Sequence, residues 1–443
     1  MKFSGLKRTG GVLLGLTALL NAGAAMAQER GAPYDRGNNQ GVRDRPRPEY
    51  ENSGMPAGGF RFYPSITASA ESNDNVFADA ADEISDTIAR LAGSARFSSI
   101  WSRHAFNVTA AAATDKYSDN SQNDTSSYSL GADGRLDVTR AVRIDGALSY
   151  GSAFEARGVN DPRTAGGASR LVDPIEYETK AGSLGVTAEL NRVRVALDAD
   201  ASQVDFDNGR LSSGAVFAQD FRDLDATDIT ARVDFALSPD TALFVSGSQG
   251  WRSYDVKDPA FGGNRDFEVT QALAGASFDI TRLLRGEIGV GYSWATFDDA
   301  ATYPEANGLS VSGKVDWFPT QLTTVALSAA RNIEEAGVAG VGSITRADYG
   351  VRVDHELRRN IVLIGEGRFI RDEYNETNAA PTIAQREDDR TQYTAGIDWL
   401  LNRVATINGR YTRAEQDSND AVVTGQDRSY EQNIAWIGLT LRR

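Results

Sequence analysis

Between Phe60 and Leu441 apolar and polar residues alternate one by one in segment after segment, and few folds can use a chain written that way. In SYSLGADGRLDV (127–138), Tyr128, Leu130, Ala132, Leu136 and Val138 share one parity, and Ser127, Ser129, Asp133, Arg135 and Asp137 share the other. TDITARVDFAL (227–237) repeats the design, with Ile229, Ala231, Val233, Phe235 and Leu237 set against Asp228, Thr230, Arg232 and Asp234. VRVALDAD (193–200), LSVSGKVDW (309–317), YGVRVDHEL (349–357) and TQYTAGIDW (391–399) follow suit. A period of two puts each parity on one face of a β-strand, whereas an amphipathic helix needs apolar residues three and four apart.

The connections come in two alternating kinds. Short ones are IWSRH (100–104), TRAV (139–142), NRV (191–193), SPDT (238–241), TRLLR (281–285), FPTQ (318–321), RRN (358–360) and NRV (402–404). Long polar ones occupy 157–175, 207–222, 255–267, 298–308, 332–345, 375–389 and 417–428. Short and long in turn is the sequence form of an up-and-down antiparallel sheet with two distinct ends. The count is about 18 strands, with 16 as the alternative, each long enough for the ~9–11 residues that cross a tilted barrel wall.

Such a sheet has to hide its apolar parity, either against a second sheet in a soluble sandwich or in lipid as a closed barrel. Three features select an all-β transmembrane barrel. The apolar parity carries small residues and aliphatics without charge across its middle. Aromatics collect toward the short turns (Phe97, Trp101, Phe235, Phe278, Trp317, Phe318, Trp399) and toward the long loops (Tyr117, Tyr128, Phe154, Phe206, Trp251, Trp294, Tyr349, Tyr393, Tyr411, Tyr430), as two interfacial girdles would. Finally, a secretory signal precedes the sheet. Lys2, Lys7 and Arg8 lead into GGVLLGLTALL, and Ala25-Met26-Ala27 offers a cleavage site, so residues 1–27 read as a signal peptide with Gln28 first in the mature chain. No stretch reaches 18 consecutive apolar residues, so no transmembrane helix is expected. Residues 28–58, rich in Pro, Gly, Arg, Asp and Asn, read as a disordered periplasmic segment, and 59–443 as the barrel.

Charge sorts by end. The short turns carry Arg103, Arg140, Arg192, Arg282, Arg285, Arg358, Arg359 and Arg403, while most acid lies in the long loops. In Gram-negative outer-membrane barrels the short turns face the periplasm and the long loops face outward. The expected surroundings are therefore outer-membrane lipid and lipopolysaccharide. The acidic loops read as a solvated surface, with divalent cations bridging to lipopolysaccharide as the alternative. The formal net charge of -15 argues against a nucleic-acid partner.

Residues 60–77, FRFYPSITASAESNDNVF, open with F-x-x-x-P-S and close with DNVF; SDTI (85–88) and WSRH (101–104) follow. This stretch resembles the Putative beta-barrel porin 2 family of proteobacterial outer-membrane proteins. Phe154-Glu155-Ala156-Arg157 and Phe221-Arg222-Asp223 resemble further recurring pieces of it. The resemblance, which extends from Phe60 to the C-terminus, implies a porin-type barrel. It also implies a role beside exopolysaccharide synthesis and export systems, with polysaccharide and periplasmic export proteins as partners. It supplies no catalytic residues. The last strand, NIAWIGLTLRR, departs from the usual aromatic terminus by ending in Arg443 behind Ile437, Leu439 and Leu441.

Enzyme chemistry has little material. The chain has no cysteine, and His104 and His355 are its only histidines. No G-x-S-x-G, Walker or H-E-x-x-H pattern occurs. Asp205-Phe206-Asp207-Asn208-Gly209 lacks the closing Glu of a calcium loop. No catalytic residue, metal site or cofactor is expected. The functional candidates are instead the charged residues of the inward parity: Arg90, Arg96, Arg135, Asp137, Arg194, Asp198, Asp200, Arg232, Asp234, Lys314, Asp316, Arg352, Asp354, Glu366, Arg368, Asp398 and Arg410. They would line either a water-filled pore for polar solutes or glycans, or a lumen closed by ion pairs or a loop. In the second case the chain is a structural barrel that docks periplasmic partners through its N-terminal segment. Neither solute nor oligomeric state is written in the sequence.

Overall fold

A computed structural model describes residues 40–158, 171–280, 283–375, 377–378, 386–420 and 427–443. The chain forms a closed antiparallel barrel of 18 strands. In chain order these are β1 (Phe60–Asn73), β2 (Asp86–Ser99), β3 (Ala105–Tyr117), β4 (Thr125–Asp137), β5 (Val142–Phe154), β6 (Glu176–Leu190), β7 (Val193–Phe206), β8 (Leu224–Ser238), β9 (Thr241–Tyr254), β10 (Phe267–Ile280), β11 (Leu284–Phe297), β12 (Ala306–Thr320), β13 (Thr323–Glu335), β14 (Ser343–Arg358), β15 (Ile361–Tyr374), β16 (Glu387–Leu400), β17 (Ala405–Ser418) and β18 (Tyr430–Arg442). Each pairs with its sequence neighbours, and β1 closes the ring on β18 through Ser65–Asn73 opposite Arg442–Ile434. Strands of 13 to 16 residues overrun a bilayer crossing, so their ends stand clear of the hydrocarbon.

The apolar parity faces outward. Leu148, Tyr393, Ile437, Val245 and Leu184 are each more than half exposed, an arrangement untenable in water and suited to lipid. The opposite parity carries the charges and the small polar side chains. A soluble sandwich would show the reverse.

Most of the aromatics assigned to girdles do face outward, including Trp101, Trp317 and Trp399 at the short-turn end and Trp251, Trp294, Tyr349, Tyr393 and Tyr411 at the loop end. Four are corrected. Tyr117 lies on the inward parity of β3 with Asp115, which pairs with Arg90 across the lumen wall. Phe206 and Phe318 are buried, and Tyr430 packs beside Gly158 of a long connection. Strand parity overrides nearness to a strand end: these rings fill the two mouths of the lumen instead of meeting lipid.

The second correction concerns residues 28–58. Residues 28–39, like the signal segment 1–27, lie outside the described residues. Residues 40–58 are described, and residues 41–51 of them pack into the short-turn end of the lumen. Val42 is wholly buried against Val362 and Ile364. Arg43 donates to Asp354 (2.8 Å) and Asp398 (3.2 Å), and Arg47 to Glu356 (2.9 Å). Barrel arginines answer the segment's carbonyls: Arg359 binds Pro46 O (2.6 Å), Arg403 binds Pro48 O (2.9 Å) and Arg442 binds Tyr50 O (3.0 Å). Composition suggested disorder because the segment has few aliphatics; what orders it is acid supplied by distant strands. Met55–Ala57 then pairs with Phe60–Phe62 as a small hairpin.

Candidate functional site: the lumen and its mouths

All the charged candidates lie on the parity that faces the lumen. Many pair across neighbouring strands, two residues apart on one strand, or, for Arg232 with Glu287, over two intervening strands. Arg90 meets Asp115 at 3.0 Å, and Arg135 meets Asp137 at 3.3 Å. Arg232 bridges Glu287 at 2.6 Å and Asp234 at 2.7 Å, its guanidinium 3.9 Å from the Phe244 ring centroid. Arg352 spans Asp354 and Glu366, Arg368 holds Asp348, and Asp316 takes Arg285 at 3.0 Å. Arg410, an arginine near mid-strand, donates to Asp398 (2.5 Å) and to the carbonyls of Ile397 and Gly409. Arg96 lies over the Tyr63 ring, Arg194 stands opposite Asp234, and Asp198 and Asp200 face inward from β7. Lys314 and Glu366 are the exposed ones.

The charges are unevenly spread. From β14 to β17 the inward parity holds Arg346, Arg352, Arg368, Arg390 and Arg410 among Asp348, Asp354, Glu356, Glu366, Asp372, Asp388 and Asp398. Across β3–β8 a register row reads Thr109, Gly131, Ser149, Ala181, Ser202, Ala226, and a recess of about 930 Å³ runs along it. One arc of the wall is thus a charge lattice; on the other this one row is free of charge, with Arg135, Asp137, Arg194, Asp198, Asp200, Arg232 and Asp234 placed above and below it on the same inward face. Side-chain bulk is therefore set to one side, and water-accessible width remains beside the small residues.

At the outer end the long connections fold inward and fasten to one another. Asp86 collects the amides of Ser118, Asp119 and Asn120 and the Asn120 side chain. Arg157 reaches Asn123 (2.6 Å) and Val172 O (2.8 Å). Arg222 forms a bidentate pair with Glu155 (2.7 and 3.0 Å) and lies over the Phe206 ring. Arg265, 1% exposed, donates to Phe221 O and Ala336 O. Asp258 accepts from Tyr303 (2.5 Å) and Gly340 N (2.7 Å), and Asn378 N binds Thr302 O. Most of these clasps join different connections, some adjacent and some, such as Arg265–Ala336 and Asn378–Thr302, with another connection between them. The reading of the loop acids as a uniformly solvated surface is therefore corrected at Asp258, Asp388 and Asp420, all buried. Burial, followed by the carboxylates of Asp205, Asp220 and Asp255, pushes the Asp223 carboxyl up to about 6, against the Phe206 amide that favours its charge.

Sequence reasoning missed two things. The family-like pieces Glu155, Arg157, Phe221, Arg222 and Asp86 turn out to be these clasps, which no local period reveals because the partners belong to different connections. Trp436 was also passed over. If Ile437 and Leu439 face lipid, parity alone turns Trp436 inward. The histidines make local contacts, His104 Nδ1 with Asp137 N and His355 Nδ1 with Thr323 Oγ1. Among the described residues no group of three or more His, Cys, Asp or Glu could hold a metal ion.

The profile of the family described as Putative beta-barrel porin 2 matches residues 47–443. The outer membrane protein OpdK of Pseudomonas aeruginosa is similar in structure, with 14% identity and a TM-score of 0.44 over 86% of this chain and 99% of that one. OccK2 (OpdF) of the same organism has 11% identity and a TM-score of 0.44, over 86% of this chain and 98% of that one. The copper transporter OprC has 8% identity and a TM-score of 0.47, over 88% and 82%. No curated protein matches the chain.

Proposed function

The chain belongs to the Putative beta-barrel porin 2 family, a porin-like outer-membrane β-barrel, and on that premise we propose that it forms a water-filled pore for polar solutes or glycans. The observation that carries this reading is the eccentric lumen: a paired charge lattice on β14–β17 opposite the recess lined by Thr109, Gly131, Ser149, Ala181, Ser202 and Ala226. Solute passes beside this recess, where the row of small side chains leaves the widest space. The inward charges named above line the path and impose a transverse field, because arginines and carboxylates fixed in pairs keep their dipoles oriented. The narrower form of the proposal is the outer-membrane conduit of an exopolysaccharide exporter, working with periplasmic export proteins and set in lipopolysaccharide.

A second reading draws on the two mouths. Residues 41–51 occupy one and the clasped connections crowd the other, as they would in a closed barrel that docks periplasmic partners. Single-channel recording of the refolded mature protein in planar bilayers separates the two. Stable conductance supports the pore. Conductance only after removal of residues 28–51 makes the segment a plug. Silence in both forms, with heat-modifiable gel migration attesting a folded barrel, rejects the open pore.

A further inference from the structure

Trp101, Trp251, Trp294, Trp317 and Trp399 all stand exposed on the lipid face. Trp436 alone among the tryptophans turns inward. In register it lies between Arg410 of β17 and Glu71 of β1, and the same inward row continues through Ile88 to Tyr117. Its indole lies down along its own strand. A Cβ added to Gly438 would sit 2.5 Å from Trp436 Cη2 and 2.7 Å from Cζ2, so the ring covers the glycine at contact distance. Its six-membered ring thus lies against the wall at Gly438, and the partly exposed indole borders the lumen.

The neighbours of this ring are polar and short. Ser69 flanks Gly438, Thr67 and Thr440 share a hydroxyl bond at 2.8 Å, and Asn408 donates to Asp398 at 2.6 Å. Glu71 makes no hydrogen bond or ion pair among the described residues, in a lumen where most carboxylates are paired. A flat aromatic face beside a free carboxylate and hydroxyl groups is complementary to a pyranose. The sugar's axial C–H face covers the indole and its equatorial hydroxyls donate to the carboxylate. We propose that Trp436 and Glu71, continued by Tyr117, form a saccharide subsite on the lumen wall, with the sugar ring stacked on the indole. The site deepens the pore reading by naming the substrate class, and it rests on that reading for its place on a transport path.

The test is reversible block of single-channel current by maltohexaose and cellohexaose. Loss of stacking on one aromatic ring should raise the half-blocking concentration in Trp436→Ala about two- to twelvefold, while Trp436→Phe stays near the native value. Gly438→Ala, which lifts the indole off the wall, should weaken block as Trp436→Ala does, and Glu71→Gln should weaken it less. Unchanged block in Trp436→Ala overturns the proposal, as does no block by either sugar. Tetrabutylammonium block that depends on Trp436 as strongly as sugar block does would make this a cation site and also overturns it. If the native protein does not conduct, the pore reading fails by itself. The subsite is then decided by calorimetric titration of the same sugars into the refolded protein in micelles: heat lost in Trp436→Ala supports it, and no native heat overturns it.

Discussion

Replacing Glu155 by Ala should open the outer mouth locally, and the size of the effect follows from the geometry. Arg222 and Glu155 have side chains only 1% and 3% exposed and share two hydrogen bonds, of 2.7 and 3.0 Å. A hydrogen bond to a charged group is worth about 1.5–3 kcal/mol, and removing one partner of a buried ion pair costs about 3–5 kcal/mol because the other charge is left in place. Arg222 keeps Gln219 (2.8 Å) and the Phe206 ring, which argues for the low end, about 3 kcal/mol. That corresponds to about a 150-fold rise in the open population. Arg222 is itself a trypsin site, shielded in the native barrel. When reclosing is fast, cleavage tracks the open population. Mass-mapped digestion should therefore show scission after Arg222 accelerating about 150-fold in Glu155→Ala, with little change elsewhere. Urea unfolding of Glu155→Ala/Arg222→Met should recover most of any lost stability, since the stranded charge is gone. A rise in cleavage of less than about threefold would refute the claim that this pair closes the connection.

Further outcomes are expected elsewhere. The Asp223 carboxyl titrates at about 6 in the folded chain, above its ordinary 3.8, so its ionised form opposes folding. That penalty is fully present above about pH 6 and relieved as pH falls toward 4; the urea midpoint of Asp223→Asn should accordingly vary less over this interval than that of the native protein. Gly275→Ala should cost about 2 kcal/mol or more in urea unfolding, because the added Cβ would lie 2.1 Å from Ile288 O and 2.5 Å from the Phe244 ring; a native-like midpoint would contradict the packing there. Neutralising Arg43 and Arg47 together should release residues 41–51 from Asp354, Asp398 and Glu356 and raise single-channel conductance, and unchanged conductance would mean that the segment does not narrow the path.

Much of the barrel was legible because its information is local. Alternation along 227–237 sends Arg232 and Asp234 one way and Val233 and Phe235 the other without reference to any partner. Turn length fixed which strands are neighbours. Parity also assigned the inward face of Arg410, though not its bonds to Asp398 and two carbonyls. What escaped depends on residues far apart in the chain. Arg47 and Glu356 are 309 positions apart, and Arg265 and Ala336 are 71 apart, so neither the ordered N-terminal segment nor the clasped connections leave a periodic trace. Tyr117, Phe206, Phe318 and Tyr430 were misplaced where distance from a strand end was allowed to outweigh parity. Trp436 shows that parity, applied to the last strand, would have been enough.

The seam between β1 and β18 has a kinetic consequence. Every other strand pair joins sequence neighbours through a turn or connection, but Thr67 and Thr440 meet across 373 positions. The cost of closing a loop grows only as the logarithm of its length, yet it falls here on a single step, after seventeen cheaper hairpin registers have been laid down. An unclosed intermediate would carry two bare edges in or near the bilayer, where each open backbone group is expensive. Phe60–Phe62 on β1 extends past the last residue of β18, and Met55–Ala57 folds back to pair with that overhang. The hairpin thus covers the stretch of β1 beyond its pairing with β18, and so removes a template for pairing with a second chain during insertion.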